Sequence, residues 1–456
     1  MKKKYWYAAM PLIGILLLIW YVQAATLDVV FTDYIRLVDT YLPDVWNPAK
    51  FFVPDVLTRI PLNYVARIIN VTFFGYSTTF DMVLGVISLG AAAGVFGVFC
   101  YRRGIGLGWY LILDYIMFGL NKWEMLTNGT GWVHFAAFAC FYYHYVVADR
   151  VLTGNGVKKG DHLRMILLPF VITMGVAGPY CAVYSAILLL MLGWYLWIGY
   201  RKNGRVDRRH LLYFACVLIP LLLYILSNQF AKGAPIDWEM RPLGEVFLED
   251  PMYFIKFFVK SFGSVVLGGE TMMEVFPAGR EMFFWGCVVI GFYLLGLILY
   301  FYTKLYKDSI LPLILMLSGG MNHVLIMFSR WRFMDELYGL SSRYALQFQV
   351  GVLGIVLTFA MVWQRRERLK AWKAPVGLVM TCALAVLIAG NTYTNYREIQ
   401  KAPYRKIYAQ NLLEIGHDYK NRSDEELKRT FQYKFPGVTR RALEILEENK
   451  WNLFRE

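Results

Sequence analysis

The stretch MVLGVISLGAAAGVFGVFC at 82–100 is followed at once by Tyr101-Arg102-Arg103. It contains no charged residue, and it matches the length of about 20 apolar residues that a helix needs to cross a hydrocarbon core. Arginines directly after such a run mark the cytoplasmic edge of a membrane span. Comparable apolar runs lie at 5–25, 106–119, 131–148, 164–178, 180–200, 211–227, 283–303, 310–328, 344–363 and 375–392. The expectation is an all-α polytopic membrane protein with about 11 transmembrane segments.

Composition agrees. Hydrophobic residues make up 57% of the 456, aromatics 17% and charged residues 18%, with a mean hydropathy of +0.42, more apolar surface than a soluble domain buries. The runs at 106–119 and 164–178 are short for a full crossing. Gly106, Gly108, Pro169, Gly178 and Pro179 predict broken or partly inserted helices there, which survive at membrane depth only where protein or a water-filled cavity satisfies the freed backbone. The first run follows Lys2-Lys3-Lys4 and ends near Val22-Gln23-Ala24-Ala25, a small-residue pattern like a cleavage site. It is long enough to span, and the parity of the later loops needs it, so it reads as a signal anchor.

Basic residues give the orientation. Lys2 to Lys4, Arg102-Arg103, Lys158, Lys159 and Arg164, the run 201–210, 304–307 and 364–373 all fall on one side, which is then the cytoplasm of a plasma (inner) membrane. The same bias accounts for much of the +14 net charge through contact with membrane lipids, so no nucleic-acid partner is needed. The six cysteines lie in or beside apolar runs without metal-ligand spacing, and the histidines are dispersed.

The outer side therefore holds the long loops 26–80 and 228–282, the short loops 121–130 and 329–342, and the end of the chain. Residues 1–393 read as the transmembrane domain, and 394–456 as an extracytoplasmic helical tail whose acidic and Leu-Glu patterns suit a small cap. In the first loop, Phe31-Thr32-Asp33-Tyr34 continues through Arg36 to Asp39. On a helix, Asp33 and Arg36 share a face and Asp39 falls near it two turns on. A carboxylate just above the membrane can take a hydroxyl proton or ligate a divalent metal such as Mg2+ or Mn2+; a weak surface pair explains Asp33 and Arg36 more simply. Further on, Pro61 starts a helix that suits the membrane surface, and Arg59 and Arg67 suit either lipid phosphate or a snorkelling position.

Two further outer-loop stretches carry polar chemistry. Arg330-Trp331-Arg332 leads to Ser341-Ser342-Arg343-Tyr344, a forked cation and hydroxyls at a span boundary that suit a phosphate; headgroup anchoring is the competing role, favoured for Arg332. Lys122-Trp123-Glu124-Met125 puts a carboxylate beside interfacial tryptophans, suited to a sugar, although such tryptophans also serve as plain anchors.

This plan resembles the GT-C superfamily of integral-membrane glycosyltransferases of the bacterial surface-polysaccharide type. The resemblance rests on an acid soon after the first span (Phe31-Thr32-Asp33-Tyr34), outer-face amphipathic helices, many spans and a polar C-terminal part outside; Ser341 to Tyr344 and Lys122 to Met125 look like segments of proteins with this plan. Two features depart from the pattern: Asp33 is followed by Tyr34 rather than a second acid, and the tail has no Trp-Trp-Asp motif. The resemblance implies transfer of a sugar from a polyprenyl-phosphate donor to a glycan or lipid-linked acceptor. In that reading Asp33 is the catalytic base; Arg343, Arg59, Arg330, Ser342 and Tyr344 hold the phosphate of the lipid carrier; and Glu124, Trp123, Asp39 and Arg36 bind the sugar or acceptor. A polysaccharide polymerase and a lipid-linked saccharide flippase or other transporter are the alternatives, the latter drawing on the intramembrane Asp114.

Overall fold

The computed structural model describes residues 2–52, 60–227 and 242–455, and every regular element among them is helical. In chain order these are α1 (Lys2–Ala25), α2 (Asp33–Tyr41), α3 (Pro61–Phe74), α4 (Thr78–Arg102), α5 (Leu107–Met117), α6 (Trp123–Thr127), α7 (Trp132–Thr153), α8 (Asp161–Phe170), α9 (Cys181–Asn203) and α10 (Arg208–Ser227). There follow α11 (Leu243–Glu249), α12 (Pro251–Gly263), α13 (Gly269–Val275), α14 (Arg280–Tyr302), α15 (Leu311–Arg330), α16 (Ala345–Gln364), α17 (Lys373–His417), α18 (Asp424–Phe431) and α19 (Pro436–Asn449). Their ends follow local chemistry. Pro61 occupies the first turn of α3, where its missing N–H costs nothing, Gly75 closes that helix in the left-handed conformation, and the Ser77 hydroxyl caps α4 by accepting from the Phe80 N–H.

Eight helical runs are long and apolar enough to cross a membrane, the architecture of an α-helical multi-pass membrane protein. The difference from the expected eleven has three sources. The run at 106–119 folds only as α5, whose 11 residues span about 16 Å. The run at 131–148 becomes α7, long but rich in aromatic and histidine side chains and carrying Asp149 and Arg150. The runs 164–178 and 180–200 join as Asp161–Asn203, interrupted by a π-helical stretch at Val171–Ala177 and a tight turn at Gly178–Tyr180. The predicted break at Pro169, Gly178 and Pro179 is therefore present within one continuous run.

The centre of the bundle is α16, buried from Ala345 to Val362. It lies close against α15, because a Cβ on Gly319 would come within 2.4 Å of the Gly351 backbone and one on Gly354 within 2.6 Å of the Met316 nitrogen. Small residues at a crossing let two backbones approach where lipid offers no hydrophobic drive for association. At one end a second cluster joins α2 to the last helices through Ile35, Val38, Leu412, Phe431, Leu443 and Leu446. The expected domain boundary at 393 falls inside α17, which runs 45 residues without a break, about 67 Å. The tail is therefore continuous with a spanning helix and locked to the first long loop.

Gly351→Val places a branched side chain where even a Cβ would lie 1.6 Å from the Tyr293 hydroxyl. Overpacking of this kind costs about 1–3 kcal/mol, so the variant unfolds several degrees below the parent in a detergent thermal-unfolding assay; an unchanged midpoint would mean that the helices are not packed this closely.

Candidate functional site

Asp33 begins α2. One face of this helix is buried through Tyr34, Ile35, Leu37, Val38 and Tyr41, which leaves the Asp33 side chain 44% exposed, 3.8 Å from the largely buried guanidinium of Arg36. The residue before it is tightly held. Thr32 has φ 51° and ψ −122°, a strained conformation for a β-branched side chain. It is fixed by donation from its N–H to the Phe431 carbonyl at 2.9 Å, and its hydroxyl accepts from Asn128 Nδ2 at 3.0 Å. The cap and the 121–130 loop thus set where α2 starts and where Asp33 sits.

The loop at 121–130 folds as the short α6 between two tight turns, so Glu124 projects from a compact knot. Arg343 donates from Nε to Glu124 Oε1 at 2.6 Å, and the Ser342 hydroxyl lies 3.4 Å from Glu124 Oε2. The Ser342 N–H donates to Glu270 at 3.0 Å. Arg330 donates from Nε to the Tyr344 hydroxyl at 2.8 Å, which fixes its guanidinium at the same turn. The Asp33 carboxylate lies close enough to act electrostatically on Arg343. Glu124 therefore meets Ser342 and Arg343, 218 and 219 positions further along the chain, through hydrogen bonds, with Arg330 and Tyr344 paired at the same turn, and Asp33 reaches Arg343 through its charge alone.

Two expected members differ. Asp39 lies on the cap side of α2, where Arg441 donates to both its oxygens at 2.9 and 3.2 Å; two turns of helix carry it away from Asp33 and into the contact with α19. Arg59 lies outside the described residues. Trp123 joins the cluster on its other flank, where the Arg405 guanidinium lies 3.5 Å over its ring, a cation–π contact. For the Mg2+ or Mn2+ expected as possible at Asp33, no three His, Cys, Asp or Glu side chains gather in ligating range among the described residues, and the group beside Asp33 is the Arg36 guanidinium.

Several neighbours were missed in the sequence. Arg405 also donates to the Tyr21 hydroxyl at 3.0 Å and pairs with the buried Glu398, while Lys401 and Arg397 hold Glu274. Their signal is the spacing 398, 401, 405 on α17, which puts all three on one side of a helix, visible only if α17 is taken to continue past the membrane. Lys122 is fully buried and donates to the Gly119 carbonyl at 2.6 Å; burial pushes its amine down to about 7. Trp123, Glu124, Lys401, Tyr404 and Arg405 line a cavity of about 390 Å³, a size for one or two sugar rings. A larger groove of about 650 Å³ runs between α1, α5 and α17 and is almost wholly apolar, lined by Leu17, Tyr21, Ile112, Asp114, Ile388 and Asn395. No family model, curated protein or solved structure matches the chain.

Asp39→Ala separates the cluster from the cap. As an exposed ion pair with Arg441 it contributes about 0.2–1 kcal/mol, so the variant shows a small fall in thermal midpoint and keeps at least half of any activity that Asp33→Asn abolishes. Equal loss in both would return Asp39 to the site.

Proposed function

We propose that the chain is a GT-C type glycosyltransferase of the cell envelope, moving a sugar from a polyprenyl-phosphate donor to a surface glycan or lipid-linked acceptor on the outer face of the membrane. The observation that carries this reading is the Glu124 and Arg343 pair, with Asp33 and Arg330 around it, beside a cavity floored by Trp123 and Arg405. The cavity itself is lined by one acid, Glu124, one forked cation, Arg405, the Lys401 amine and the faces of Trp123 and Tyr404, a set that suits a sugar joined to a phosphate. The apolar groove supplies a lateral seat for a lipid chain, and Tyr21 at its wall is bonded to Arg405 of the cavity.

The chemistry follows from these positions. Asp33 accepts the proton of an acceptor hydroxyl as that oxygen bonds to the anomeric carbon. The bond from that carbon to the phosphate oxygen breaks, and the leaving phosphate keeps the electron pair. Arg343 uses part of its five-donor fork on Glu124 and retains donors for the phosphate, with Arg330, held by Tyr344, as the second cation. Oriented cations at a poorly hydrated boundary stabilise such developing charge strongly. Glu124 and Trp123 orient the sugar.

Asp33→Asn and Arg343→Ala each lower transfer by at least about a hundredfold, the usual scale for removing an acid–base group or a positioned donor, while expression and membrane insertion stay normal. The measurement is surface-glycan modification in cells lacking the parental gene and complemented with each variant. Full activity in both variants removes the assignment.

One observation favours a second reading, transport of a lipid-linked saccharide: Asp114 lines the groove, and its Oδ1 has no hydrogen-bond partner among the described residues. Asp114→Asn leaves transfer intact under the transferase reading. Loss of function in Asp114→Asn, with Asp33→Asn active, would favour transport.

A further inference from the structure

At the end of the bundle away from Asp33, three acids are already matched. Asp149 receives Arg103 at 2.6 Å together with the Ser309 hydroxyl and the Ile310 N–H. Asp161 takes Arg150 in a two-point contact at 2.8 and 2.9 Å and Arg164 at 2.8 Å. Asp308 pairs with Arg365. Positive charge remains in excess: Arg102 has no hydrogen-bond or ion-pair partner among the described residues, and Arg368 donates only to the Thr303 carbonyl at 2.8 Å. Between α4 and α7, Arg102, Arg103 and Arg150 line a cavity of about 300 Å³, whose remaining wall is Val98, Phe99 and Val146 on one side and Asn155, Gly156 and the Arg365-paired Asp308 on the other. Val98 is half exposed on the outside of the bundle.

We propose that this cavity binds the headgroup of an anionic phospholipid, its phosphate taken by Arg102 beside Arg103 and Arg150 and its acyl chains lying along Val98 toward the bilayer. The charge excess calls for an anion, and the apolar wall continuous with the lipid-facing side of α4 selects a phosphate that carries a hydrocarbon. A bound headgroup ties α4 to α7 and to the turn at Asn155, which donates to the Asp308 carbonyl at 3.1 Å. The site is separate from the cluster around Asp33, and the proposal stands whether or not the chain transfers sugars.

The test uses the full chain in nanodiscs of phosphatidylcholine with increasing phosphatidylglycerol, read by thermal unfolding and by native mass spectrometry of retained lipid. Phosphatidylglycerol raises the unfolding midpoint of the parent and stays bound. Arg102→Ala, an exposed position, needs about fivefold more phosphatidylglycerol for the same shift, the effect of one arginine near an anionic surface. Lys202→Ala, elsewhere on the basic side, responds like the parent, and inorganic phosphate added to phosphatidylcholine discs gives no shift. No response in the parent, an equal response in Arg102→Ala, or the same shift from inorganic phosphate would each overturn the proposal.

Discussion

An ionised side chain near a membrane boundary is costly unless an opposite charge or fixed donors hold it. Glu124 satisfies this demand through Arg343 and the Ser342 hydroxyl, and that contact joins α6 to the turn that leads into the central helix α16. Because α16 is buried along nearly its whole length, the turn before it has a fixed position, and Arg343, Ser342 and Tyr344 inherit that position. Tyr344 in turn fixes Arg330 at the end of α15. The site is thus set by the close helix packing below it.

Asp33 reaches the same place by a different route. The first loop is held over the 121–130 loop by Thr32 and Asn128, and the cap and α4 add further ties. Asp28 accepts from the Thr78 N–H at 2.6 Å and from Asn452 Nδ2 at 2.9 Å, while the Val30 N–H donates to Asn452 Oδ1 at 3.0 Å. These bonds tie the loop to both α4 and the C-terminal end of the chain. The strain at Thr32 persists because contacts from α18 and the 121–130 loop over-determine it, a pattern found where a side chain must be held in one place. In this account the cap positions Asp33.

Much of the fold was legible in the sequence because membrane spans have a strong signature in length and hydropathy. The helix after Thr32, the proline start of α3 and the break near Gly178 were likewise readable from local chemistry. The expected eleven runs and the eight helical runs long and apolar enough to cross differ where a helix is short, as in α5, where aromatics dilute an apolar run, as in α7, and where two runs join across a π-helical stretch. The site was partly legible: Asp33, Glu124, Arg330 and Arg343 were each visible as polar residues at a span boundary, but spacing in the chain says nothing about which of them meet. Asp39 shared a helix with Asp33, and tertiary contact with Arg441 decided its role instead. Arg405 and Glu398 escaped notice because the sequence gives no sign that α17 continues as one helix beyond its apolar half.

The transferase reading requires acids and guanidinium groups from distant parts of the chain to meet on a single sugar phosphate carried by a lipid. The decisive measurement is an experimental structure of the protein in nanodiscs with a polyprenyl-phosphate sugar bound. The expected result is the phosphate within hydrogen-bond reach of Arg330 and Arg343, the sugar between Asp33 and Trp123, and the lipid chain in the groove between α1, α5 and α17. A donor seated elsewhere, with Asp33 turned toward bulk water, rules the transferase reading out.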